Sequence, residues 1–500
     1  MTRPYFRRLL VANRGEIALR VMRTARELGI ETVAVFSDAD RNALHVRRAD
    51  HAFRLGPPSP KDSYLSIPRL LEAAATFGCD AVHPGYGFLS ENAKFAEACA
   101  EAKVTFVGPP AAAIRAMGDK VEARKIAADA DVPLVPGLKE DVRDAATMRA
   151  RAKEIGYPVM LKAAAGGGGK GIRIVREEKG LLDAEQMARA EALSSFGDDR
   201  VYLEKLVVEP RHVEIQVMAD AHGNVVHYGE RECSVQRRHQ KLVEESPCAV
   251  LTPEMRAAMG DAACRLAKAV GYVGAGTVEF LYSRGAFYFL EMNTRLQVEH
   301  PVTEMRFGVD LVREQLAVAA GAKVSPVPEP RGHSIEVRLN AEDPDTFFPA
   351  LGTITRLNLP GGPGVRIDSA LYRGLEVTPH YDSMVGKLIV HGQDRAHAIA
   401  RCKRALEELR LVGITTSAPV ALRVLDDPRF VSGNYDTGIL DGMARAPSIA
   451  TVELAALAAA VARHTQAGRR ADAAAAASQP RAMSPWQLAD RLDRLGGRVR

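Results

Sequence analysis

Near its start the chain reads LLVANRGEIALRVMRTARELGIETVAVF, Leu9–Phe36, and the pattern of this stretch decides the fold of the first third. Apolar runs at Leu9–Asn13 and Thr32–Phe36 flank a helical stretch, Glu16–Leu28, in which Ile17, Val21, Ala25 and Leu28 share one face. Gly29 is placed to end that helix, because glycine enters the left-handed region at a helix C-terminus without steric cost. Strand, helix, strand in this order predicts a parallel α/β domain to about Arg115, with a nucleotide crevice among its expected uses. The first turn, Asn13–Glu16, lacks G-x-G-x-x-G, which argues against a dinucleotide site there.

Beyond that unit, residues 117–330 carry the glycine run Gly166–Gly169, followed by Lys170 and Gly171. Between 332 and 446, strand patterns at Ser334–Leu339 and Lys387–Val390 precede a helical one at Ala396–Leu409, an α+β arrangement. Residues 447–500 change to alanine-rich helix, with Ala471–Pro480 reading as a linker. The expected class is therefore α/β and α+β, multidomain.

The net charge is +5, and Thr451–Arg500 holds eight arginines against four acids, so the remainder is nearly neutral. A general nucleic-acid surface is therefore not implied. No apolar run reaches the roughly 18 residues of a membrane span. Leu9–Ala12 already reads as a buried strand, which leaves no room for a signal peptide in the basic stretch Met1–Leu10. Cys79, Cys99, Cys233, Cys248, Cys264 and Cys402 form no C-x-x-C pair, and reduced thiols in a cytoplasmic protein are expected.

The glycine run allows backbone N–H groups to approach phosphate oxygens, although a flexible surface loop has the same composition. It is not a Walker A loop, since Lys170 is followed by Gly171 where Ser or Thr would hold magnesium. Lys162, closing the apolar strand Tyr157–Leu161, favours the phosphate reading. In Phe287–His300, alternation puts Phe287, Phe289, Glu291, Asn293, Arg295, Gln297 and Glu299 on one face if the chain stays extended. A hairpin loop at Ser283–Ala286 with Gly285 at its centre sets Glu279 opposite Glu291. Like charges so opposed repel, and a bound divalent cation would turn repulsion into coordination. Two carboxylates with Asn293 suit Mg²⁺ or Mn²⁺. The basic stretch Gln236–Lys241 reads as a solvated patch on its own, and as a receiver of phosphates and a small anion when set beside a metal site.

Five signatures resemble the biotin carboxylase family across Leu9 to about Ala444: VANRGEIAL (Val11–Leu19), HPGYGFLSEN (His83–Asn92), MGDK (Met117–Lys120), RHVEIQ (Arg211–Gln216) and EMNTRLQVEHPVTE (Glu291–Glu304). The glycine loop departs slightly, with Ala165 where other versions carry a further glycine. The resemblance implies an ATP-grasp fold with a Rossmann-like N-terminal domain (5–115), an ATP-grasp domain (117–330) whose mobile lid spans about 133–205, and a C-terminal domain (332–446).

By the same likeness ATP would be held by Lys120, Lys162, Gly168, Gly169, Glu204, Lys205, Leu206, Val207, His212, Gln236 and His239. Glu279 and Glu291 would bridge ATP and two Mg²⁺ or Mn²⁺ ions, with Asn293 a further ligand. Lys241, Arg295, Gln297 and the backbone of Val298 would hold bicarbonate, Glu299 would be its general base, and Arg338 would stabilise the biotin enolate. Implied partners are a biotin carboxyl carrier protein, a second copy of the chain and a carboxyltransferase, with no nucleic acid and no membrane.

A carbamoyl-phosphate-type ligase shares the fold, glycine loop and paired acids, but does not call for Arg295–Glu299 or for Arg338 within EVRLN (Glu336–Asn340). A regulatory protein that has lost catalysis would not keep every catalytic position filled. No Met-Lys-Met attachment site occurs, so biotin is expected as a substrate on another polypeptide. The tail segment SPWQL (Ser484–Leu488) resembles the start of the region that follows this module in longer propionyl- or methylcrotonyl-type α chains. It is expected either to dock a carboxyltransferase or carrier, or to be a disordered end.

Overall fold

The computed structural model describes residues 5–137, 142–163, 172–196, 198–238, 240–443 and 456–465. The chain divides into a unit of residues 1–441 and one of 442–500; in the second, residues 442–443 and a helix at 456–465 with exposed side chains are described. The tail segment around Trp486 and the linker Ala471–Pro480 lie outside the described residues.

The first third folds as its pattern predicts. Strands β1 (Arg8–Val11), β2 (Glu31–Ser37), β3 (His51–Gly56), β4 (Ala81–His83) and β5 (Thr105–Phe106) form a parallel sheet in the order β3-β2-β1-β4-β5. Helix α1 (Gly15–Glu27) buries Ile17, Val21 and Ala25 against it, with Leu28 half-buried at the C-cap and Gly29 at φ 71°.

Three antiparallel strands, β6 (Val159–Ala163), β7 (Ile172–Val175) and β8 (Val201–Lys205), make a separate small sheet. It has its own core of Val159, Leu161, Val175, Leu181, Val201 and Leu203. Two backbone bonds through the segment 133–136 tie this body to the main sheet: Phe289 N donates to Pro133 O and Lys205 N to Pro136 O, both at 2.7 Å.

The remainder is organised by one eight-stranded antiparallel sheet. β9 (Arg211–Ala219), β10 (Val225–Arg237), β11 (Gln240–Ser246), β12 (Gly274–Ser283), β13 (Ala286–Asn293) and β14 (His333–Asn340) join strands Met384–Gly392 and Val365–Ser369. Their order is β13-β12-β9-β10-β11-β14, then 384–392 and 365–369. Because β11 pairs with β14, hydrogen bonding is continuous from the segment expected to bind ATP into the C-terminal α+β segment. Among the described residues no helix is long and apolar enough to cross a membrane.

Candidate active site

β9 supplies the centre of the site. His212, Glu214 and Gln216 alternate with Val213, Ile215 and Val217; the apolar set enters the core while the polar set, equally buried, faces the opposite side. Register then aligns charges across four strands: Arg231 on β10 pairs with Glu214 on β9, Glu214 with Glu279 on β12, and Glu279 with Glu291 on β13. The opposition of Glu279 and Glu291 expected from the hairpin is present. The connection is a two-residue turn, Arg284 and Gly285 at φ 51° and 80°, with Ser283 paired to Ala286.

The extended face expected from Phe287 to Glu299 is not formed. A bulge between the pairs Glu279–Glu291 and Phe280–Phe289 adds Leu290 to β13. Phe287 and Phe289 therefore pack on the core with Phe280, while Glu291 opens to the cleft. β13 ends at Asn293, and the chain reaches helix His300–Phe307 through a turn, so Arg295, Gln297 and Glu299 arrive by loop geometry.

Lys241 gathers the carboxylates. Its Nζ donates to Glu214 Oε2 at 2.5 Å, Glu299 Oε1 at 2.6 Å and Glu279 Oε1 at 3.0 Å. Burial alone would lower its pKa, but Glu214, Glu279 and Glu299 together raise it well above the usual lysine value. Burial likewise acts to raise Glu299, and Lys241, Arg338 and Arg231 overcome it, holding that carboxyl well below its usual range. Glu299 is thus ionised and able to accept a proton. Arg338 closes the other side, donating through Nη2 to Glu299 Oε2 at 2.9 Å and through Nε to Glu244 Oε1 at 2.6 Å.

Glu279 Oε1 also accepts from Asn293 Nδ2 and Gln297 Nε2, each at 2.8 Å, and His212 Nε2 lies 2.9 Å from its second oxygen. The Glu291 carboxyl is raised in pKa, by desolvation first and then by the charge of Glu279. A divalent cation between these carboxylates would relieve that repulsion, so the donor set fits a hard metal ion. Asn293, expected as a ligand, turns its amide nitrogen to Glu279 and accepts from Arg295 Nη2 at 2.9 Å through Oδ1.

A cleft of about 1370 Å³ brings together Lys120, His212, Gln236, Lys241, Glu279, Glu291, Asn293, Arg295, Gln297, Val298, Glu299 and Arg338. Lys120 begins a helix, Lys120–Asp129, whose N-cap is Asp119, so MGDK is a capped helix start. Lys162 and Glu204 to Val207 do not line the cleft. They lie on or just after the small sheet, where Lys162 Nζ donates to Glu204 Oε2 at 2.5 Å and Arg124 to Glu204 Oε1 at 2.9 Å. Gly168, Gly169 and His239 lie outside the described residues.

Several groups that build the site are not singled out by the sequence pattern. Fully buried Arg231 donates to Glu214 at 2.5 Å, to Gln216 and Gln297 at 2.7 Å each, and to Thr303 and Thr277. Glu91 accepts from Arg295 Nε at 2.9 Å and from the Thr294 N–H at 2.9 Å. Lys387, also fully buried, donates to the Val298 carbonyl and stands 3.2 Å from Glu16, which Tyr86 hydrogen-bonds. Glu214, Glu91, Glu16 and Tyr86 all lie within the five signatures, and the alternation of RHVEIQV is the signal that marks Glu214.

A row of carboxylates, a caged ammonium and Glu299 held between Lys241 and Arg338 converge on one cleft, and the family matches along the chain identify an ATP-dependent ligase with an ATP-grasp module. Three family descriptions match in series: biotin carboxylase N-terminal domain at 5–114, carbamoyl-phosphate synthase L chain ATP-binding domain at 119–327, and biotin carboxylase C-terminal domain at 336–442. Biotin carboxylase 1 of Bacillus subtilis (strain 168) is 54% identical over 444 residues, covering 87% of this chain and 98% of the relative. A pyruvate carboxylase subunit of Methanothermobacter thermautotrophicus is 52% identical over 440 residues, covering 87% and 90%. The biotin carboxylase domain dimer of Hydrogenobacter thermophilus 2-oxoglutarate carboxylase, solved with MgADP, ADP and bicarbonate, superposes with TM-score 0.79 at 46% identity over 87% of this chain and 97% of that one. The chain belongs to the biotin carboxylase family and is an ATP-dependent carbon–nitrogen ligase. The domains flanking the shared ATP-binding module decide against a carbamoyl-phosphate enzyme.

Proposed function

We propose that this enzyme carboxylates biotin carried on a separate carrier protein, as the first half-reaction of an acyl-CoA carboxylase of acetyl-CoA or propionyl-CoA type. The observation that carries the reading is Glu299, ionised and gripped by Lys241 and Arg338 at the wall of a cleft that also holds the opposed Glu279 and Glu291.

Bicarbonate enters between Lys241, Arg295, Gln297 and the Val298 N–H. Its arrival draws Lys241 toward the anion, which weakens the hold on Glu299 and raises its basicity. Glu299 takes the bicarbonate proton, the freed oxygen attacks the γ-phosphorus of ATP, and ADP leaves carboxyphosphate behind. Carboxyphosphate gives CO₂ and phosphate; the phosphate takes the N1 proton of biotin, and N1 bonds CO₂. Arg338 stabilises the charge on the ureido oxygen.

Lys120, Lys162, Gly168, Gly169, Glu204, Lys205, Leu206, Val207, His212, Gln236 and His239 hold ATP. Glu279, Glu291 and Asn293 would hold two Mg²⁺ or Mn²⁺ ions, which would neutralise phosphate charge. The body spanning about 133–205 closes over the nucleotide to keep water from carboxyphosphate. The working form is a homodimer, as in the Hydrogenobacter relative, acting with a separate carboxyltransferase. Six free cysteines support a cytoplasmic setting.

A second reading, service to a keto-acid carboxylase, is favoured by the pyruvate and 2-oxoglutarate carboxylase relatives. Co-purification of the partner proteins, followed by assay with acetyl-CoA, propionyl-CoA and pyruvate, separates the two. Arg338→Ala is expected to abolish biotin carboxylation while retaining ATP binding, and Glu299→Gln to abolish bicarbonate-dependent ADP release. Retained activity in either variant refutes that residue's role.

A further inference from the structure

β11 and β14 set Glu244 directly opposite Glu336, a second pair of like charges on neighbouring strands. Unlike Glu279 and Glu291, this pair is fully buried and does not line the cleft. Glu244 Oε1 accepts from Arg338 Nε, but Glu244 Oε2 and both oxygens of Glu336 have no hydrogen-bond partner among the described residues. Three bare carboxylate oxygens sealed from water are strongly unfavourable if both groups are ionised. A proton on either acid would remove one of the two buried charges and supply a donor for a carboxylate on the neighbouring strand.

Among the described residues, the cations and acids packed around the pair are already engaged elsewhere. Arg338 is divided between Glu244 and Glu299, and Lys387, its partner across strand 384–392, is committed to Val298 O and Glu16. From helix His300–Phe307, which packs on β14, Glu304 is bonded to Arg20 and Arg366, and His300 Nδ1 meets Gln297 O. From helices Arg395–Glu408 and Ala418–Asp426, Arg395 is bonded to Glu245 and Arg423 to Asp345. Tyr86 is bonded to Glu16.

We propose that Glu244 and Glu336 form a carboxylic acid–carboxylate pair that shares one proton and positions Arg338 for biotin. This rests on the reading of Arg338 given above. With one negative charge on the pair, Arg338 is held from two sides, by Glu244 at Nε and by Glu299 at Nη2. When Glu299 accepts the bicarbonate proton, its pull falls, while the anchor at Nε stays. The terminal nitrogens are then free to meet the ureido oxygen at the moment biotin must be activated. Were both acids ionised, the second charge would draw Arg338 back between the strands. Burial, the largest influence on each, agrees with a protonated pair: Glu244 is raised to about 7 and Glu336 well above the usual carboxyl value.

The test compares E336Q, E336L, E244Q and R338A in the full-length enzyme, measuring biotin-dependent turnover, bicarbonate-dependent ADP release without biotin, and thermal midpoint. E336Q keeps a neutral donor to Glu244 and is expected to retain at least about a third of biotin-dependent kcat, whereas E336L loses about tenfold or more. E244Q is expected to lose about ten times more biotin-dependent turnover than ADP release. The alkaline fall of biotin-dependent kcat in the parent is expected to be absent in E336Q, where nothing at 336 can ionise. Equal losses in E336Q and E336L, with R338A inactive toward biotin, would overturn the pair. So would an E244Q that loses both activities in parallel. An R338A that still carboxylates biotin would instead overturn the reading of Arg338.

Discussion

The ammonium of Lys241 sits 2.6 Å from Glu299 Oε1 and holds two further buried carboxylates, Glu214 and Glu279. Removing it as Lys241→Met keeps side-chain volume but leaves those charges without their shared cation. Breaking a buried pair in this way costs about 3–5 kcal/mol. Denaturant titration is expected to show that loss, and bicarbonate-dependent ADP release to fall by about a hundredfold or more.

Arg231 does for the protein side of the row what Lys241 does for the cleft side. It is fully buried and spends its donors on Glu214, Gln216, Gln297, Thr277 and Thr303. Arg231→Met is expected to destabilise by about 3–5 kcal/mol, since Glu214 and the Gln297 carbonyl lose their donor. Gln297 is then less well oriented, so KM for bicarbonate rises as well; a normal KM in a folded variant would separate Gln297 from bicarbonate binding.

Glu91 reaches Arg295 from the N-terminal domain, 204 residues away in sequence. Both are partly exposed, with side chains 40% and 21% accessible, so Glu91→Gln is expected to change stability by no more than about 0.5 kcal/mol. Its effect falls on function: a looser Arg295 raises KM for bicarbonate about three- to tenfold with little change in kcat. Steady-state kinetics at varied bicarbonate checks this.

Glu291 opens to the cleft opposite Glu279. Replacing it with Gln removes a like-charge opposition from the protein and a charged donor from the ion. The expected result is unchanged or slightly higher stability, and about tenfold more Mg²⁺ for half-maximal rate. Magnesium titration at saturating ATP and bicarbonate reads the second effect directly.

Glu244 and Glu336 give the fold a signed dependence on pH. Their pKa values are raised by folding, Glu244 to about 7, while an unfolded glutamate titrates near about 4.3. Between those values the folded chain binds more protons than the unfolded one, so stability falls as pH rises. Their contribution is complete below the unfolded value and lost as pH passes the folded ones. Relative to parent, E336Q is expected to gain about 1 kcal/mol per pH unit from about pH 4.3 up to the raised folded value of Glu336, and nothing further above it, measured by denaturant titration across the range.

Local pattern was enough for the first domain, because α1 and β1 announce themselves through the spacing of Ile17, Val21 and Ala25 and the run Leu9–Val11. Hairpin arithmetic around Gly285 was enough for the facing of Glu279 and Glu291. It failed one step further, at Leu290: a single bulged residue reverses which face is buried, and no periodicity of two can foresee it. Glu291 and Glu299 therefore do not share one strand face.

What the amino-acid order determined by itself is the first strand–helix–strand unit and the opposed acids of the hairpin around Gly285. These depend on neighbours a few residues apart, whose geometry is dictated by backbone dihedrals. Only the tertiary structure decided their charge states. Lys241, Arg231, Arg338, Glu244 and Lys387 come from separate strands, and whether a buried carboxyl is ionised depends on the cations within a few ångströms of it. Burial pushes both carboxyls up; Lys241, Arg338 and Arg231 bring Glu299 well below the usual range, whereas Lys387 and Arg338 leave Glu336 raised.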